Sequence, residues 1–196
     1  HYTHQPNNPR SISDNHVRAI LEDKNGNFYV GTDGGGLNIF DRKKGTFRAF
    51  KKNPENPHSI SSNRVWDILQ DSRGRIWVAT HGGGLNLFNP ENQSFEHFRY
   101  HAPDETSLSN DQTTVIYEDS REFLWVGTMN GLNRWYPEEQ KFLRYKHEPD
   151  NPNSLTNNRV YTIHEDTDNY LWIGTKGGLN RLDVETGTFK HFTTDN

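Results

Sequence analysis

The sequence predicts an all-β fold, namely a β-propeller segment with four blades of four antiparallel strands each. The first observation is an internal repeat, because the segment LWIGTKGGLN and three variants of it occur along the 196 residues. Its threonine recurs at spacings of 48, 48 and 47 residues, as Thr32, Thr80, Thr128 and Thr175. The second observation is that apolar and polar residues alternate inside each repeat, which is typical of β-strands and leaves no room for a helix. A period of about 40 to 50 residues with four short strands is that of one propeller blade.

The second repeat indicates where the strands and turns of a blade lie. We expect its four strands at residues 65–69, 76–79, 85–88 and 95–99. The segments between them are rich in glycine, aspartate, asparagine and proline, which favour tight turns. The last strand has polar residues between its apolar ones, so it is predicted to be a half-solvated outer strand.

The repeats account for nearly the whole chain. They occupy approximately residues 4–51, 52–99, 100–146 and 147–193, so we expect neither a linker nor a second domain. A single blade buries its two faces only against neighbouring blades. Residues 1–196 are therefore interpreted as a single propeller domain or as part of a larger propeller.

The composition agrees with stacked blades. Hydrophobic residues make up only 30% of the chain, whereas aromatic residues reach 12%, too many for a disordered segment. This balance fits a thin core built from bulky side chains. One aromatic position recurs in every repeat, and we expect its side chains to pack between blades rather than against a ligand: Tyr29, Trp77, Trp125 and Trp172.

Charge and cysteine content exclude several classes of function. The formal net charge is −4, so no nucleic-acid partner is expected. No apolar run approaches the roughly 18 residues of a membrane span, and residues 1–10 lack the features of a signal peptide, so we expect no direct membrane insertion. The absence of cysteine from the sequence excludes disulfides and a cysteine nucleophile.

Several motifs that suggest chemistry have simpler structural explanations. The glycine triplet at 34–36 leads into a strand and not into a helix N-terminus, so turn geometry explains it better than phosphate binding does. Residues 23–27 begin like a calcium loop, but Gly34 stands where the closing glutamate is needed. His97 and His191 occupy equivalent positions of different blades, too far apart to share a metal ion. We therefore predict no catalytic residue, no metal site and no cofactor.

The repeats resemble the two-component regulator propeller repeat, whose pattern is roughly N-x-V, then I-x-x-D-x-x-G-x-L-W-I-G-T-x-x-G-L. The fourth repeat matches this pattern most fully, at residues 158–160, 163–166, 171–175 and 178–180. The connector at 149–155, which is rich in proline and asparagine, matches as well. The resemblance extends over all 196 residues.

Departures from the pattern are local. Phe28 and Tyr29 stand in place of the usual leucine and tryptophan in the first repeat. Ala79 replaces a glycine in the second repeat, and Glu122 stands where the turn glycine is expected in the third. The pattern stays recognisable in all four repeats.

This resemblance implies a sensor role. Such repeats are similar to those of the extracytoplasmic part of hybrid two-component regulators, notably in Bacteroides-type bacteria that sense oligosaccharides. Regulators of this kind carry two propellers of about seven blades each, an immunoglobulin-like domain, a membrane helix and a histidine kinase. The chain is thus expected to be a periplasmic, non-enzymatic module for ligand sensing or interaction, with an oligosaccharide as its ligand. A propeller enzyme, such as a lyase or a glycosidase, and a purely structural scaffold are the alternatives.

Recognition is expected on one face of the propeller, at positions that vary between repeats while their neighbours do not. Two loops bracket this face, the connector into the first strand and the turn between the second and third strands. The variable residues of these loops predicted to bind a ligand are His16, Arg18, Asp33, Arg64, Trp66, His81, Arg159, Tyr161 and Lys176. Arginines, aromatic rings and a carboxylate around one mouth suit sugars, uronic acids or a peptide. Sequence drift on a solvated surface is the alternative explanation.

A second recurring set of connector residues has a structural interpretation. Asn15, Asn63 and Asn158 precede the first strand of their repeats, and Asp111 takes the same position in the third repeat. Short side chains with an oxygen acceptor readily bind nearby backbone N–H groups. We therefore expect these four residues to cap their connectors.

The repeat number also bears on partners. An arc of four blades that belongs to a larger ring leaves two inter-blade faces exposed, and such faces are rich in apolar groups. Either the four blades close alone, or chains associate, in which case a homodimer completes an eight-bladed ring. The remaining blades of a larger parent propeller are the other way of covering these faces.

Overall fold

The computed structural model describes residues 1–193, and these residues form β-strands and no helix. Sixteen strands lie within them, in four sheets that each hold four strands in sequence order. Every pair of neighbouring strands is antiparallel. The predicted all-β fold of four-stranded antiparallel blades is therefore confirmed. The chain divides into two compact units, His1–Phe98 and Arg99–Asn196.

The first unit contains blades 1 and 2. Blade 1 consists of β1 (Val17–Glu22), β2 (Phe28–Thr32), β3 (Gly36–Asp41) and β4 (Thr46–Phe50). Blade 2 consists of β5 (Val65–Gln70), β6 (Ile76–Thr80), β7 (Gly84–Asn89) and β8 (Ser94–Phe98). The strands predicted for the second repeat agree with those of blade 2 to within one residue at each end.

The second unit contains blades 3 and 4. Blade 3 consists of β9 (Thr113–Glu118), β10 (Leu124–Thr128), β11 (Gly131–Tyr136) and β12 (Lys141–Tyr145). Blade 4 consists of β13 (Val160–Glu165), β14 (Leu171–Thr175), β15 (Gly178–Asp183) and β16 (Thr188–Phe192). Each blade thus uses the same hairpin order as those of the first unit.

A buried asparagine ties the connector of each repeat to its blade. In blade 2, the side chain of Asn86 accepts the backbone N–H of Ser61 at 3.0 Å and donates to the carbonyl of Val78 at 3.4 Å. The equivalent bond to the connector is made by Asn38, Asn133 and Asn180. All four asparagines are fully buried. A buried amide is stable only when its polar atoms have partners, which explains the asparagine in every repeat.

The recurring threonine closes the turn between the second and third strands. The hydroxyl of Thr80 donates to the carbonyl of Gly84 at 2.8 Å, and its three equivalents make the same bond. In blade 1, Gly36 has a φ of +79°, and a Cβ there would lie 2.1 Å from the carbonyl oxygen of Phe50. The turn therefore needs glycine both for its conformation and for the close approach of β4.

An aspartate organises the hairpin between the first two strands. In blade 3, Asp119 accepts the backbone N–H groups of Arg121 and Phe123 through Oδ1. Its Oδ2 accepts the indole N–H of Trp125 at 2.8 Å. Equivalent bonds join Trp77 to Asp71, Trp172 to Asp166 and the hydroxyl of Tyr29 to Asp23. The turn therefore orients the aromatic side chain that the sequence repeats.

In blade 1, the pKa values of both partners favour the hydrogen bond between Tyr29 and Asp23 at neutral pH. Burial, together with the negative charge and hydrogen bond of Asp23, raises the pKa of the Tyr29 hydroxyl to about 12. Burial alone would raise the pKa of Asp23, but hydrogen bonds from Asn27, Asn25 and Tyr29 outweigh it and lower that pKa below its usual value. Tyr29 therefore stays a donor while Asp23 stays an ionised acceptor.

Two departures from the repeat pattern fall in this turn, Glu122 in blade 3 and Asn169 in blade 4, and both residues have a φ of +63°. Glu122 replaces the expected glycine and has a φ of +63°, the left-handed conformation that Gly26 and Gly74 adopt in the first unit. A residue with a side chain pays about 1 kcal/mol for this conformation. The hydrogen bonds of Asp119 impose the same turn in spite of that cost.

Apolar side chains fill the space between the two blades of each unit. In the first unit, Tyr29 and Leu37 of blade 1 pack with Ile68 and Phe88 of blade 2. In the second unit, the corresponding core residues are Trp125, Leu132, Ile163 and Leu171. The expected inter-blade packing of the recurring aromatic position is confirmed for Tyr29 and Trp125.

Replacing Asn133 with alanine is expected to lower the free energy of unfolding by about 2 to 3 kcal/mol. The backbone N–H of Ser109 would lose its acceptor, and the carbonyl of Val126 would lose a donor, both inside the protein. Equilibrium unfolding in urea measures the change. Asn56→Ala is the matched control, because Asn56 is exposed and accepts one turn bond from His58. The free energy of unfolding of Asn56→Ala should fall by less than about 1 kcal/mol. An equal decrease in the two variants would contradict the role of the buried Asn133 amide.

Candidate functional site

Five of the predicted binding residues form one cluster in the first unit, which we call the arginine–tryptophan cluster. Blade 1 contributes Arg18 from β1 and Asp33, which directly follows β2. Blade 2 contributes Arg64 just before β5, Trp66 within β5 and His81 directly after β6. The cluster therefore joins the two loops that the repeat pattern predicts on one face.

Backbone hydrogen bonds hold these two loops in place. The N–H of Asp33 donates to the carbonyl of His16 at 2.9 Å, and the N–H of His81 donates to the carbonyl of Arg64 at 2.9 Å. Asp33 and Arg64 also form an isolated antiparallel bridge between blades 1 and 2. These backbone contacts fix the positions of the Cα atoms that carry the side chains of the cluster.

Two of these side chains lie at β-bulges. The register between β1 and β2 shifts at Arg18, and the register between β5 and β6 shifts at Trp66. A bulge leaves one residue outside the ladder and changes the direction of its side chain. The bulge explains how a residue within a strand contributes to a site that loops otherwise build.

Both arginines bind the carboxylate of Asp33. Arg18 donates from Nη2 to Oδ2 at 2.7 Å, and Arg64 donates from Nε to Oδ1 at 2.8 Å. The Asp33 side chain is only 13% exposed, whereas those of Arg18 and Arg64 are 50% and 46% exposed. Asp33 thus orients two guanidinium groups that remain half exposed to solvent.

Two stacked rings complete the cluster. The indole of Trp66 and the imidazole of His81 lie with their centroids 4.6 Å apart and their planes at 29°. The guanidinium of Arg18 lies 5.3 Å from the Trp66 ring centroid, within cation–π distance. Nη1 of Arg64 lies 3.0 Å from Nδ1 of His81. Because arginine only donates, Nδ1 is the acceptor and the neutral imidazole carries its proton on Nε2.

These contacts set the charges of the cluster. Burial alone would raise the pKa of the Asp33 carboxyl, but the hydrogen bonds and charges of Arg64 and Arg18 lower it to about 2. Burial lowers the pKa of His81, and the positive charge of Arg64 lowers it further. At neutral pH, the cluster therefore combines two positive charges, one negative charge and a neutral imidazole.

The arrangement suits binding better than acid–base catalysis. An ion-paired carboxylate with a pKa of about 2 is poorly matched to proton transfer near neutral pH. Guanidinium groups, by contrast, bind carboxylates in planar geometry, and aromatic rings provide flat contact surfaces. The cluster is therefore a candidate site for a ligand with anionic or hydroxyl groups.

His16 lies beside the cluster. Its side chain is largely exposed, and Nδ1 lies 3.7 Å from Oδ1 of Asp14. Its backbone carbonyl is the acceptor for Asp33. Ligand binding by the His16 side chain stays a prediction.

The other three predicted residues lie in the second unit. Arg159 precedes β13, Tyr161 occupies the bulge of β13, and Lys176 follows β14. The N–H of Lys176 donates to the carbonyl of Arg159 at 3.0 Å, as that of His81 does to Arg64. Tyr161 is 47% exposed. Blade 4 thus repeats the backbone arrangement that supports the cluster.

The predicted connector caps are confirmed. Asn15, Asn63 and Asn158 each accept the backbone N–H of the residue eleven positions earlier, at 2.7 Å. Asp111 accepts the backbone N–H of Tyr100 at 2.8 Å. These side chains are used within the connectors, which supports their structural interpretation.

A cavity of about 1450 Å³ in the first unit lies along the connector at residues 4–11 and strands β3 and β4. None of the five cluster residues lines it. A ligand at the cluster would instead reach the half-exposed side chains of Arg18 and Arg64.

Within residues 1–193, no three histidine, aspartate or glutamate side chains are placed to hold a metal ion. No helix of that part of the chain is long and apolar enough to cross a membrane.

The stability of the fold should depend on the ionisation of Asp33. Because its pKa is about 2 in the folded state and about 3.9 in an unfolded chain, the ionised form stabilises the fold above pH 4. This stabilisation is lost as the pH falls from about 4 to about 2. Solvent screening of the half-exposed arginines limits the effect to about 1 kcal/mol.

The test compares urea unfolding of the wild-type chain and of Asp33→Asn at pH 5 and at pH 2.5. The free energy of unfolding of the wild-type chain should fall about 1 kcal/mol further than that of the variant. Parallel pH profiles for the two proteins would show that Asp33 is not the ion-paired acceptor described above.

The four repeats match a known family model. The model of the two-component regulator propeller matches residues 11–34, 59–82, 107–130 and 154–177. Each matched segment runs from the connector serine to the turn after the second strand of its blade. No curated protein sequence shows a significant match to the chain.

Solved structures share the fold. The extracellular domain of a hybrid two-component system from B. thetaiotaomicron is 31% identical, with a TM-score of 0.82 over 94% of this chain. This chain spans 25% of that structure. Virginiamycin B lyase from Staphylococcus aureus is 16% identical, with a TM-score of 0.65 over 92% of this chain and 56% of its own. An auxiliary nutrient binding protein from Bacteroides ovatus is 10% identical, with a TM-score of 0.61 over 96% and 46%.

The similar structures and the family model support different conclusions about this chain. At 16% and 10% identity, the lyase and the nutrient binding protein show the propeller fold alone. The family model, by contrast, matches once in every repeat and includes the turn aspartate and the recurring threonine whose hydrogen bonds are described above. The chain is built from four two-component regulator propeller repeats and belongs to that family.

Proposed function

We propose that the chain is a ligand-recognition part of the periplasmic sensor region of a hybrid two-component regulator, and that it binds an oligosaccharide without converting it. The arginine–tryptophan cluster is the observation that carries this proposal. It places two half-exposed guanidinium groups beside a stacked pair of rings, at the positions where the repeats differ most.

The family and its relatives support the sensor assignment. The repeats are those named for two-component regulators, and the similar structure from B. thetaiotaomicron is an extracellular domain of such a system. A location outside the cytoplasm follows by analogy with that domain. Because this chain spans a quarter of the related structure, the signalling activity of a whole regulator is itself part of the proposal.

The charge of the cluster favours an acidic sugar over a neutral one. Two arginines and one aspartate leave one net positive charge, with His81 neutral at pH 7. A uronic acid offers a carboxylate to the guanidinium groups of Arg18 and Arg64, and its ring offers a flat surface to Trp66. An oligosaccharide with both features uses every exposed group of the cluster.

The ionised, ion-paired state of the Asp33 carboxylate supports the proposal that the oligosaccharide is not hydrolysed. Within the cluster, Asp33 is committed to two arginines, and the pKa of its carboxyl is about 2. A glycosidase needs a pair of carboxyl groups, one of them protonated near neutral pH. The enzyme and scaffold alternatives are separated from the sensor by the experiment below.

Calorimetric titration with a panel of neutral and uronic-acid oligosaccharides tests the proposal, with chromatography of the same mixtures for products. We expect binding of acidic oligosaccharides that weakens as salt concentration rises, and no product. Formation of products would favour a propeller enzyme. Neither binding nor products from any sugar would favour a scaffold and contradict the proposal.

Variants of the cluster locate the site. Arg64→Ala and Trp66→Ala should each weaken binding about thirtyfold, because truncating a central arginine or aromatic anchor commonly costs about 2 kcal/mol. Arg64→Lys should recover only part of the loss, since lysine keeps the charge but not the planar geometry. Arg159→Ala and Tyr161→Ala test whether blade 4 contributes.

Arg99→Ala is the matched control for these variants. Arg99 forms a similar ion pair, with Asp111 at 2.8 Å, and is 51% exposed. It lies in the second unit and outside the nine predicted residues, so its loss should leave the affinity unchanged. Binding that falls equally in Arg99→Ala and Arg64→Ala would place the ligand elsewhere.

A further inference from the structure

His81 is held in the arginine–tryptophan cluster by its backbone and by one face of its ring. Its N–H donates to the carbonyl of Arg64 at 2.9 Å, and its own carbonyl accepts the hydroxyl of Ser62 at 3.1 Å. The imidazole stacks on the indole of Trp66, with ring centroids 4.6 Å apart. The position of the imidazole is therefore fixed from two sides.

Arg64 uses N–H groups on both sides of its guanidinium within the cluster. Nε donates to Oδ1 of Asp33 at 2.8 Å, and Nη1 donates to Nδ1 of His81 at 3.0 Å. The two acceptors belong to successive blades, since Asp33 follows β2 and His81 follows β6. The direction in which Arg64 presents its guanidinium thus depends on His81 as well as on Asp33.

The contact between Arg64 and His81 exists only while the imidazole is neutral. A protonated imidazole carries N–H groups on both nitrogens, so its Nδ1 has no lone pair with which to accept. Two positively charged groups 3.0 Å apart also repel each other. Protonation of His81 therefore releases Nη1 of Arg64, while Nε stays bound to Asp33.

The surroundings of His81 set the pH at which this change occurs. Burial lowers the pKa of His81, the positive charge of Arg64 before β5 lowers it further, the negative charge of Asp33 after β2 raises it, and Arg18 on β1 again lowers it. The carboxyl of Asp33 has a pKa of about 2, and arginine stays protonated at any ordinary pH. Of the five cluster residues, His81 is therefore the one that changes charge just below neutral pH.

Histidine is specific to the second repeat at this position. The equivalent residues in the other repeats are Asp33, Met129 and Lys176. Near neutral pH, an aspartate, a methionine and a lysine each keep a constant charge. A proton-dependent charge at this place is thus a property of the site that blades 1 and 2 form, and not of the repeat in general.

An acidic ligand changes the protonation of His81. A carboxylate bound to the guanidinium of Arg64 compensates the positive charge that opposes protonation of the imidazole. Protonation of His81, in turn, adds a positive charge beside the ligand and frees an N–H group of Arg64 to bind it. Each event favours the other, and this coupling is reciprocal by thermodynamic necessity.

We propose that His81 makes the recognition of acidic ligands by the cluster proton-linked, so that the site binds them more tightly in mildly acidic surroundings. This inference rests on the proposed function, because it places an acidic oligosaccharide at Arg18 and Arg64. His81 is a positioning residue for Arg64 when it is neutral and a third positive charge when it is protonated. Neutral sugars gain nothing from this charge, so the preference of the site for acidic sugars increases as the pH falls.

Calorimetric titration of the full chain at pH 7.5 and at pH 5.5 tests the coupling, with the uronic-acid and neutral oligosaccharides of the panel. Binding of the uronic-acid oligosaccharides should tighten about three- to tenfold at pH 5.5, since a rise of about 1 in the pKa of His81 on ligand binding corresponds to a tenfold gain in affinity. Neutral oligosaccharides should not bind more tightly. Equal affinity for uronic acids at both pH values would overturn this inference and leave the proposed function intact. No binding at either pH would contradict both.

His81→Gln assigns the effect to this residue. Glutamine keeps a side-chain oxygen that can accept Nη1 of Arg64, but it does not titrate, so the tightening at pH 5.5 should disappear. His58→Gln is the matched control, because His58 is an exposed histidine of the same unit outside the cluster, and it should keep the full effect. His16→Gln should keep the pH dependence as well, because the His16 side chain lies beside Asp14. Tightening that survives in His81→Gln, or that disappears in His16→Gln, would assign the proton to another group and overturn the inference.

The contact between Arg64 and His81 also has a readout that needs no ligand. NMR titration of the imidazole Cε1–H resonances gives the pKa of each histidine, and the resonance missing from His81→Gln identifies that of His81. Arg64→Ala should raise the pKa of His81, because it removes a nearby positive charge, and should leave that of His58 unchanged. An unchanged pKa of His81 in Arg64→Ala would show that the two side chains are not coupled and would overturn the inference whatever the sugars do.

Discussion

The hydrogen bond between a turn aspartate and the aromatic side chain six residues later is the contact on which each blade depends. In blade 2, Asp71 is 1% exposed, accepts the backbone N–H of Arg75 and accepts the indole N–H of Trp77. The same carboxylate therefore shapes the hairpin and fixes the ring that lies buried beside it. Without an acceptor, a buried indole N–H would be left unsatisfied, and its ring would lose its orientation. The geometry of the hairpin and the packing of the core therefore depend on the same carboxylate.

Residues that differ between repeats lie at a position that takes no part in the hydrogen bond between the aspartate and the ring. The bulge of the first strand holds Arg18 in blade 1, Trp66 in blade 2 and Tyr161 in blade 4. A bulged residue takes no part in the regular ladder, so its side chain varies without loss of backbone pairing. The cluster combines such variable side chains with invariant backbone bonds between the connector and the turn after the second strand. The same backbone arrangement thus presents different side chains in different blades.

Equivalent residues of different blades have different environments, and this difference follows from the neighbours of a blade. Ile20 and Ile68 occupy the same position of the repeat, yet one is exposed and the other is buried against blade 1. Repeats of this kind gain much of their stability from interfaces with adjacent repeats. The stability contributed by a given position of the repeat therefore depends on whether a neighbouring blade covers it.

The sequence alone determined the repeat, the strand positions and the roles of the connector caps, because these depend on contacts close along the chain and on a pattern present four times. Strand ends differed by one residue, and the capping of Asn63 and Asp111 was predicted from position alone. For the candidate site, the sequence indicated which residues vary but not how they pair. Ligand contact by Asp33 stays a prediction, and the structure adds that Asp33 orients Arg18 and Arg64, which the repeat pattern did not indicate. Only the tertiary structure decided this, because the pairing depends on the bulges and on the distance between two blades, neither of which a pattern of residue types specifies.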